Sequence, residues 1–308
     1  MTTFTEAPGA AEPRLPQPRA LIVTIYGLYA RNHAGRAGGW LSVASLIRLM
    51  AGLGADQAAV RSSISRLKQR EILEPLRLGG VAGYALSPRG SEILAEGDRR
   101  IFERPRARLS DGWLLAVFSV PEQERGRRHA LRSRLSWLGF GTVSAGVWIA
   151  PGHLAGETRD MLARYRLSGY VDLFSADYLA FGDLQQQVGR WWDLDRLERL
   201  YQEFLDDCGP VLERWRGRRA GAGGAPGDGE AAFADYVLTL TAWRRLPFLD
   251  PGLPAELLPA DWHGLRAART FAALRTRLAA PAQAYVIAVT GQPPAQPDGS
   301  GFQRHPTR

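Results

Sequence analysis

The chain has 308 residues, 45% of them apolar, and a formal net charge of +8, which predicts a globular protein of about two or three domains. Its longest apolar runs, such as residues 21–30 and 113–120, are far too short to span a bilayer, and the N-terminus is acidic and proline-rich, so we expect a cytoplasmic protein without an export signal or a membrane anchor. The single cysteine, Cys208, excludes an internal disulfide, and the five scattered histidines lack the spacing of metal ligands, so no metal site is expected.

Composition and periodicity divide the chain into three folded parts between two tails. We predict an α+β multidomain protein with an N-terminal winged helix-turn-helix at residues 19–104, a ferredoxin-like middle domain at 111–180 and an all-helical C-terminal domain at 184–290. Residues 1–18 and 291–308 are rich in Pro, Gly and polar residues. They have too little apolar surface to become ordered, so both are predicted to be flexible tails.

The N-terminal part contains the elements of a helix-turn-helix in order. Residues 20–29 and 43–50 are apolar helical segments, and the glycine-containing turn 52–55 leads to Asp56, which is suited to cap the next helix. The apolar residues of that helix recur at the four- and three-residue spacing of one helical face, so they are predicted to face the core. They are Val60, Ile64 and Leu67.

The opposite face of this helix is small, hydroxylated and cationic, which favours nucleic-acid binding. Small side chains let the backbone approach base edges, Arg and Gln can form paired hydrogen bonds to bases, and Ser and Lys can bind phosphates. The candidate DNA-binding residues are Arg61, Ser62, Ser65, Arg66, Lys68 and Gln69, with Ala58 beside them. The alternative interpretation is a solvated helix face.

A glycine-tipped hairpin follows, as expected of a wing. Segments 72–77 and 82–86 have strand character and flank the turn. We expect Arg77, Gly79 and Gly80 to lie against the DNA backbone or the minor groove, where a missing side chain allows close approach. An ordinary tight turn is the alternative.

A helix capped by Ser87, with Pro88 at its first position, is predicted to close this domain and to extend to Ile101.

The positive charge is concentrated in the same part of the chain, since residues 19–104 hold 13 Lys+Arg against 7 Asp+Glu, whereas 181–308 hold 15 of each. A localised excess on a helix-turn-helix favours the phosphate backbone as partner, although basic surfaces also serve solubility or bind acidic proteins.

Residues 111–180 follow the order β-α-β-β-α-β, which is typical of a split, ferredoxin-like sandwich. The strands are predicted at 113–120, 140–144, 147–150 and 170–175, and the helices at 122–138 and 154–167. The first strand ends without the aspartate that a metal-dependent nuclease would need. We therefore interpret this domain as a scaffold for dimer contacts.

The C-terminal part is predicted to be helical. A long helix over 187–215 is expected to break at Gly209-Pro210, because proline removes a helical hydrogen bond. Further helices are expected at 231–245 and 262–278, on either side of a proline-punctuated segment, 246–264.

Four stretches of the chain carry a resemblance to a known family. They are AAVRSSISRLKQREIL, GYALSPRGSEIL with the following RRIF, VSAGVWIAP and, most specifically, LPFLDPGLPAELLPADWHGLRA. Over residues 19–290 the chain resembles the phenylacetate-degradation repressor family, the PaaX-type regulators. The resemblance implies a dimeric transcriptional repressor whose middle domain is similar to the small CRISPR-associated ribonuclease and whose helical C-terminal domain serves effector binding and dimer contacts. It also implies release from a palindromic, double-stranded operator DNA by an aryl-CoA thioester, typically phenylacetyl-CoA.

Candidate effector contacts are aromatic and cationic side chains of the C-terminal part. Trp243 and Trp262 offer aromatic faces for an aryl group, and Arg244 and Arg245 offer cations for CoA phosphates. Tryptophan serves core packing more often than ligand binding, so packing is the alternative. We expect no cofactor apart from such an acyl-CoA effector.

Neither a phosphate loop nor a nucleophile elbow has its required spacing, so we predict no catalytic residue and no enzyme activity. Two other functions are left open. One is a constitutive DNA-binding regulator without a small ligand. The other is a CoA-thioester-processing enzyme fused to a DNA-binding domain.

Overall fold

The computed structural model describes residues 15–31, 39–103, 106–179, 181–218 and 227–291. Within these ranges the fold is α+β, with two small antiparallel sheets and a helical C-terminal part, as the sequence predicts. The two predicted flexible tails lie outside the described residues, except for residues 15–18 and 291.

The N-terminal part is a winged helix-turn-helix. Its elements are α1 (Pro18–Ile25), continued by a π-helical turn (Tyr26–Ala30), β1 (Trp40–Ser42), α2 (Val43–Ala51), α3 (Gln57–Gln69), β2 (Leu73–Leu78), β3 (Val81–Leu86) and α4 (Pro88–Asp98), continued by a second π-helical turn (Arg99–Glu103). The strands form an antiparallel sheet in the order β1-β3-β2. The sequence does not predict β1, because three residues are too few for a periodic pattern.

Side-chain caps fix where two of these helices begin. The Asp56 carboxylate accepts a hydrogen bond from the backbone N–H of Ala59 at 2.9 Å, and the Ser87 hydroxyl accepts one from the N–H of Gly90 at 2.9 Å. Both predicted caps are therefore confirmed. Each bond satisfies an N–H group that the first turn of a helix leaves without an intrahelical partner.

The middle part is a ferredoxin-like sandwich, as predicted. Its elements are β4 (Trp113–Phe118), α5 (Arg125–Trp137), β5 (Gly141–Ser144), β6 (Val147–Pro151), α6 (Ala155–Arg164) and β7 (Val171–Ala176). The antiparallel sheet has the order β5-β6-β4-β7. One of its faces forms an apolar core with both helices, in which Leu114, Leu131 and Met161 are buried.

Among its described residues, the C-terminal part consists of helices joined by non-helical segments, of which the longest, 250–262, contains only one short 3-10 turn. Its elements are α7 (Leu184–Trp191), α8 (Leu194–Arg216), α9 (Asp228–Trp243), α10 (Leu246–Leu249) and α11 (His263–Thr290). Long helices α8, α9 and α11 pack against one another and bury large side chains such as Tyr201, Phe233 and Leu274.

The predicted helix break at Gly209-Pro210 is wrong, since α8 continues through both residues. The interruption lies at Trp192, whose backbone is extended (φ −124°, ψ 143°), and the Asp193 carboxylate then caps α8 through a hydrogen bond of 2.9 Å. Proline is unfavourable inside a helix. Here the buried neighbours Cys208 and Leu212 hold this part of α8 against the core.

The winged part and the helical part share one continuous apolar core, whereas the middle part has a second core of its own. α1 lies against α9, where the hydroxyl oxygens of Thr24 and Thr241 are 2.8 Å apart in a buried hydrogen bond. Nearby, the rings of Tyr29 and Phe233 have centroids 5.9 Å apart. The winged part is thus anchored directly on the C-terminal helices.

The turn Arg99–Glu103 at the end of α4 is held by the same helices. The indole N–H of Trp243 donates to the carbonyl of Ile101 at 3.0 Å. The ring of Phe102 stacks on that of Phe271 with centroids 6.3 Å apart. Both ends of the winged part therefore contact α9 or α11.

Replacing Thr24 with Val should lower the free energy of unfolding by about 1–3 kcal/mol, because the Thr241 hydroxyl then stays buried without this partner. Replacing both threonines with Val should restore much of that loss, since an apolar pair leaves no polar group unsatisfied. A double-mutant cycle from urea denaturation measures the coupling. Strictly additive losses would contradict a hydrogen bond between the two parts.

Candidate nucleic-acid interface

α3 presents an apolar side to the core and a polar side to solvent. Val60, Ile64 and Leu67 are only 1%, 4% and 2% exposed, as their spacing predicts, and Ser63 is buried beside them. The six candidate DNA-binding residues of this helix are all exposed: Arg61, Ser62, Ser65, Arg66, Lys68 and Gln69. The structure therefore brings these six side chains together on the solvent side of α3.

The exposed side of α3 carries cations and no carboxylate. The helix sequence, QAAVRSSISRLKQ, contains neither Asp nor Glu, and the exposed Arg70 follows it directly. Among the residues that the structure describes, Arg61, Arg66 and Lys68 have no ion-pair partner. Phosphate groups of DNA could supply the missing negative charge, and release of their counterions would favour binding.

The wing has a tip without side chains. Gly79 and Gly80 have φ values of +56° and +80°, the left-handed conformation that a two-residue hairpin turn of this kind requires. A Cβ at either position would have no atom of the described residues within 4 Å, so as far as the structure describes it the tip is open to a partner. Arg77, one residue before the closing pair Leu78–Val81, is exposed.

Trp40 braces the base of the wing, which the sequence pattern does not indicate. Its indole N–H donates to the carbonyl of Leu76 at 3.0 Å, and its ring lies so close to Gly83 that a Cβ there would be 2.4 Å from it. A glycine inside a strand is a local signal of such a close approach. Trp40 gives no local signal, because its hydrogen-bond partner is 36 residues away.

The two predicted effector tryptophans both lie in the apolar core. Trp243 and Trp262 are 1% and 5% exposed. They flank Tyr201, whose ring centroid lies 6.4 Å from that of Trp243 and 5.8 Å from that of Trp262. Trp243 also lines an apolar cavity beside α11, which Trp262 does not.

The two predicted effector arginines lie elsewhere. Arg244 donates to the carbonyl of Ala20 on α1 at 3.3 Å, and burial lowers the pKa of its guanidinium group. Arg245 is 3.8 Å from the carboxylate of Glu203 on α8. The fold therefore separates the four candidates, since the tryptophans face the core and the arginines contact two different helices.

The middle part shows no carboxylate on β4, whose sequence is WLLAVF. Within the described ranges, no group of three or more His, Cys, Asp or Glu side chains is arranged to hold a metal ion. No described helix combines the length and the apolar character needed to cross a bilayer.

Three family models match the chain. The PaaX-like protein model matches residues 17–90, the model of the PaaX protein central Cas2-like domain matches 106–188, and the model of the PaaX-like protein C-terminal domain matches 192–288. The transcriptional repressor PaaX of Escherichia coli (strain K12) is 26% identical over 270 residues, which are 87% of this chain and 82% of that protein.

A solved structure has the same overall fold. It is the uncharacterized protein Rv0674 from Mycobacterium tuberculosis, which superposes with a TM-score of 0.57 and is 24% identical in sequence. The match covers 88% of this chain and 98% of that chain. Because the winged, middle and helical parts each match their own PaaX model, the protein belongs to the PaaX family.

Proposed function

We propose that this protein is a cytoplasmic, homodimeric transcriptional repressor that binds double-stranded operator DNA and controls an aromatic-acid catabolic pathway of the phenylacetate type. The observation that carries the proposal is the exposed side of α3. There, cations that have no ion-pair partner among the described residues surround two serines, and the helix contains no carboxylate. The Escherichia coli relative, a transcriptional repressor, supports a regulatory role and not an enzymatic one.

In this proposal α3 lies in the major groove. Ser62 and Ser65 are small enough to let the helix backbone approach the base edges. Arg61, Arg66 and Gln69 have the donors for paired hydrogen bonds to bases, which give sequence preference. Phosphate contacts, for which Lys68 is suited, set the register on the duplex.

The wing contacts the neighbouring backbone or the minor groove. Its support is the glycine tip, which offers backbone N–H groups without side chains in front of them, and the exposed Arg77 beside it. The hydrogen bond of Trp40 stiffens the base of the wing, since it joins β1 to β2.

A homodimer would read a palindrome whose half-sites lie about one helical turn apart, or a multiple of it.

An aryl-CoA thioester such as phenylacetyl-CoA releases the protein in this proposal. For release, the ligand must bind the DNA-incompetent form more tightly than the DNA-binding form. Each tenfold difference in these two affinities shifts the equilibrium between the forms by about 1.4 kcal/mol. The apolar core shared between α1 and the C-terminal helices supports such coupling.

Replacing Arg66 with Ala should weaken operator binding by about 1–3 kcal/mol and relax the base preference, because a paired contact to a base edge is lost. Arg61→Ala should behave alike. Fluorescence anisotropy on a duplex selected from a random library measures both. The matched control is Arg266→Ala, exposed on α11 and expected to leave affinity unchanged. Folded α3 variants that bind as tightly as the control would contradict this role of α3.

Replacing Lys68 with Ala should weaken binding to operator and unrelated duplexes by a similar factor, because a phosphate contact carries no sequence information. The slope of log K against log salt concentration should become shallower by about one. Titrations at several salt concentrations give this slope. A slope equal to that of the wild type would show that Lys68 neutralises no phosphate.

Phenylacetyl-CoA should release the protein from its operator, and the thioester should in turn bind less tightly when DNA is present. A mobility-shift assay over aryl- and alkyl-CoA thioesters, with free CoA and phenylacetate as controls, measures release. No release by any thioester would indicate a constitutive regulator. Chromatography that shows the thioester consumed would indicate an enzyme.

A further inference from the structure

Two cavities adjoin the π-helical turn Arg99–Glu103, which continues the last helix of the winged part. The first, which we name the charged cavity, has a volume of about 440 Å³ and lies between this turn, α6 of the middle part and residues 247–252. The second, the apolar cavity, has about 750 Å³ and lies between the turn and α11. Arg106 lines both, so they are neighbours. These volumes are typical of small-molecule sites.

The charged cavity is rich in hydrogen-bond donors. Four guanidinium groups and an imidazole line it: Arg99, Arg100, Arg106, Arg164 and His153. Four carboxylates also line it: Glu96, Glu157, Asp160 and Asp250. The ion pairs between the two sets are long, at 3.8 Å for Arg100–Glu157, 3.6 Å for Arg164–Glu96 and 3.4 Å for Arg106–Asp250.

These three ion pairs are too long for good hydrogen bonds, so the arginines keep N–H donors that a phosphate could use. Good N–H···O hydrogen bonds are about 2.7–3.2 Å long, so the carboxylates do not reach this geometry with the arginines. A guanidinium group has five N–H donors, and a phosphate oxygen at shorter distance would form a stronger, charge-assisted bond.

Arg100 gives the charged cavity a fixed wall. Its nitrogens donate to the carbonyls of Trp137 and Leu138, and its guanidinium carbon lies 5.3 Å from the Trp137 ring centroid and 5.8 Å from that of Phe248. Burial lowers the pKa of Arg100, and a bound anion would oppose that shift.

In the described part of the chain, the buried Nδ1 of His153 has no hydrogen-bond partner. A ligand oxygen or hydroxyl would satisfy it.

The apolar cavity has an aromatic floor. The ring of Trp243 stacks on Phe271 with centroids 4.8 Å apart, and Phe102 stacks on the same Phe271. Ala268 and Ala272 also line this cavity. Glu103, Arg106 and Arg275 are its charged lining residues, and the rest of the lining is mainly apolar, which suits an apolar group.

We propose that the two cavities form one site for an acyl-CoA effector, with its phosphate groups in the charged cavity and its acyl group in the apolar cavity. The ligand class in this inference rests on the proposed function. The location rests on the residues that line the two cavities. One end of an acyl-CoA carries phosphates and the other is apolar. The first cavity offers four guanidinium groups beside four carboxylates, and the second has a mainly apolar lining. Trp243 belongs to this site, whereas Arg244, Arg245 and Trp262 lie outside it.

The location gives the ligand a direct route to the DNA-binding part. The turn Arg99–Glu103 continues α4, and α4 packs against β3 of the wing sheet. π-helical turns occur often at functional sites. A ligand that wedges between this turn, α6 and α11 moves α4 and the wing with it, which changes the spacing of the DNA-binding surfaces in the dimer.

Isothermal titration of the full-length protein with phenylacetyl-CoA and with free CoA tests the charged cavity. Arg99→Glu combined with Arg164→Glu reverses two side chains that are 75% and 60% exposed, so folding should be unaffected. Both ligands should bind at least about tenfold more weakly, because charge-assisted bonds to phosphate are lost. The matched control, Arg159→Glu, is exposed on the same helix as Arg164 but outside the cavity. It should bind both ligands as the wild type does.

Ala272→Trp tests the apolar cavity, because an indole at this lining position would occupy part of the cavity. Phenylacetyl-CoA should bind about tenfold more weakly, whereas free CoA, which lacks the acyl group, should bind within about twofold of the wild type. The matched control is Ala284→Trp, exposed on α11 away from the cavity. Circular dichroism melts verify that all variants fold.

The outcomes separate this inference from the proposed function. If the wild type binds phenylacetyl-CoA and leaves its operator, but the variants of both cavities bind like their controls, the location is wrong and the proposed function stands. If the wild type binds no acyl-CoA, this inference and the ligand-release part of the proposed function are overturned, whereas the proposed DNA binding stands on its own test. Weaker binding confined to the cavity variants supports both.

Discussion

Burial of Val60, Ile64 and Leu67 determines which side of α3 faces solvent, and the proposed interface depends on that orientation. Each of these side chains contributes about 1.5–3 kcal/mol when fully buried, so turning the helix about its axis would expose far more apolar surface than the protein can tolerate. The cations on the opposite side therefore cannot withdraw to the interior. They stay exposed and without carboxylate partners on the same helix.

The winged part, which carries α3, shares one apolar core with the C-terminal helices. α1 packs on α9, and the turn after α4 is held by Trp243 and Phe271, so the winged part has contacts to the C-terminal helices at both of its ends. A ligand among these helices and a duplex on α3 would act on one packed unit. Thermodynamic linkage then requires that the ligand and the duplex change the protein's affinity for one another by the same factor.

Local signals in the sequence were enough to predict α3 and the wing. The three- and four-residue apolar spacing, the Asp56 cap and the pair Gly79-Gly80 each specify a conformation without reference to distant residues. Local signals give the wrong prediction where tertiary packing determines the backbone conformation. Pro210 and Pro281 both lie inside helices, although each would end a helix judged on sequence alone. The effector candidates were chosen by residue type, but the cavities are lined by segments that only the fold brings together.

Disulfide cross-linking between Ser65→Cys and a thiol tethered to a base in the major groove tests most directly whether α3 reads DNA. The native Cys208 would not interfere, since it is buried and burial raises the pKa of its thiol to about 12. The control is Ser133→Cys, exposed on α5. The account predicts a cross-link at the operator half-site for Ser65→Cys alone. Equal cross-linking of both variants, or none for Ser65→Cys in a protein bound to the operator, would contradict it.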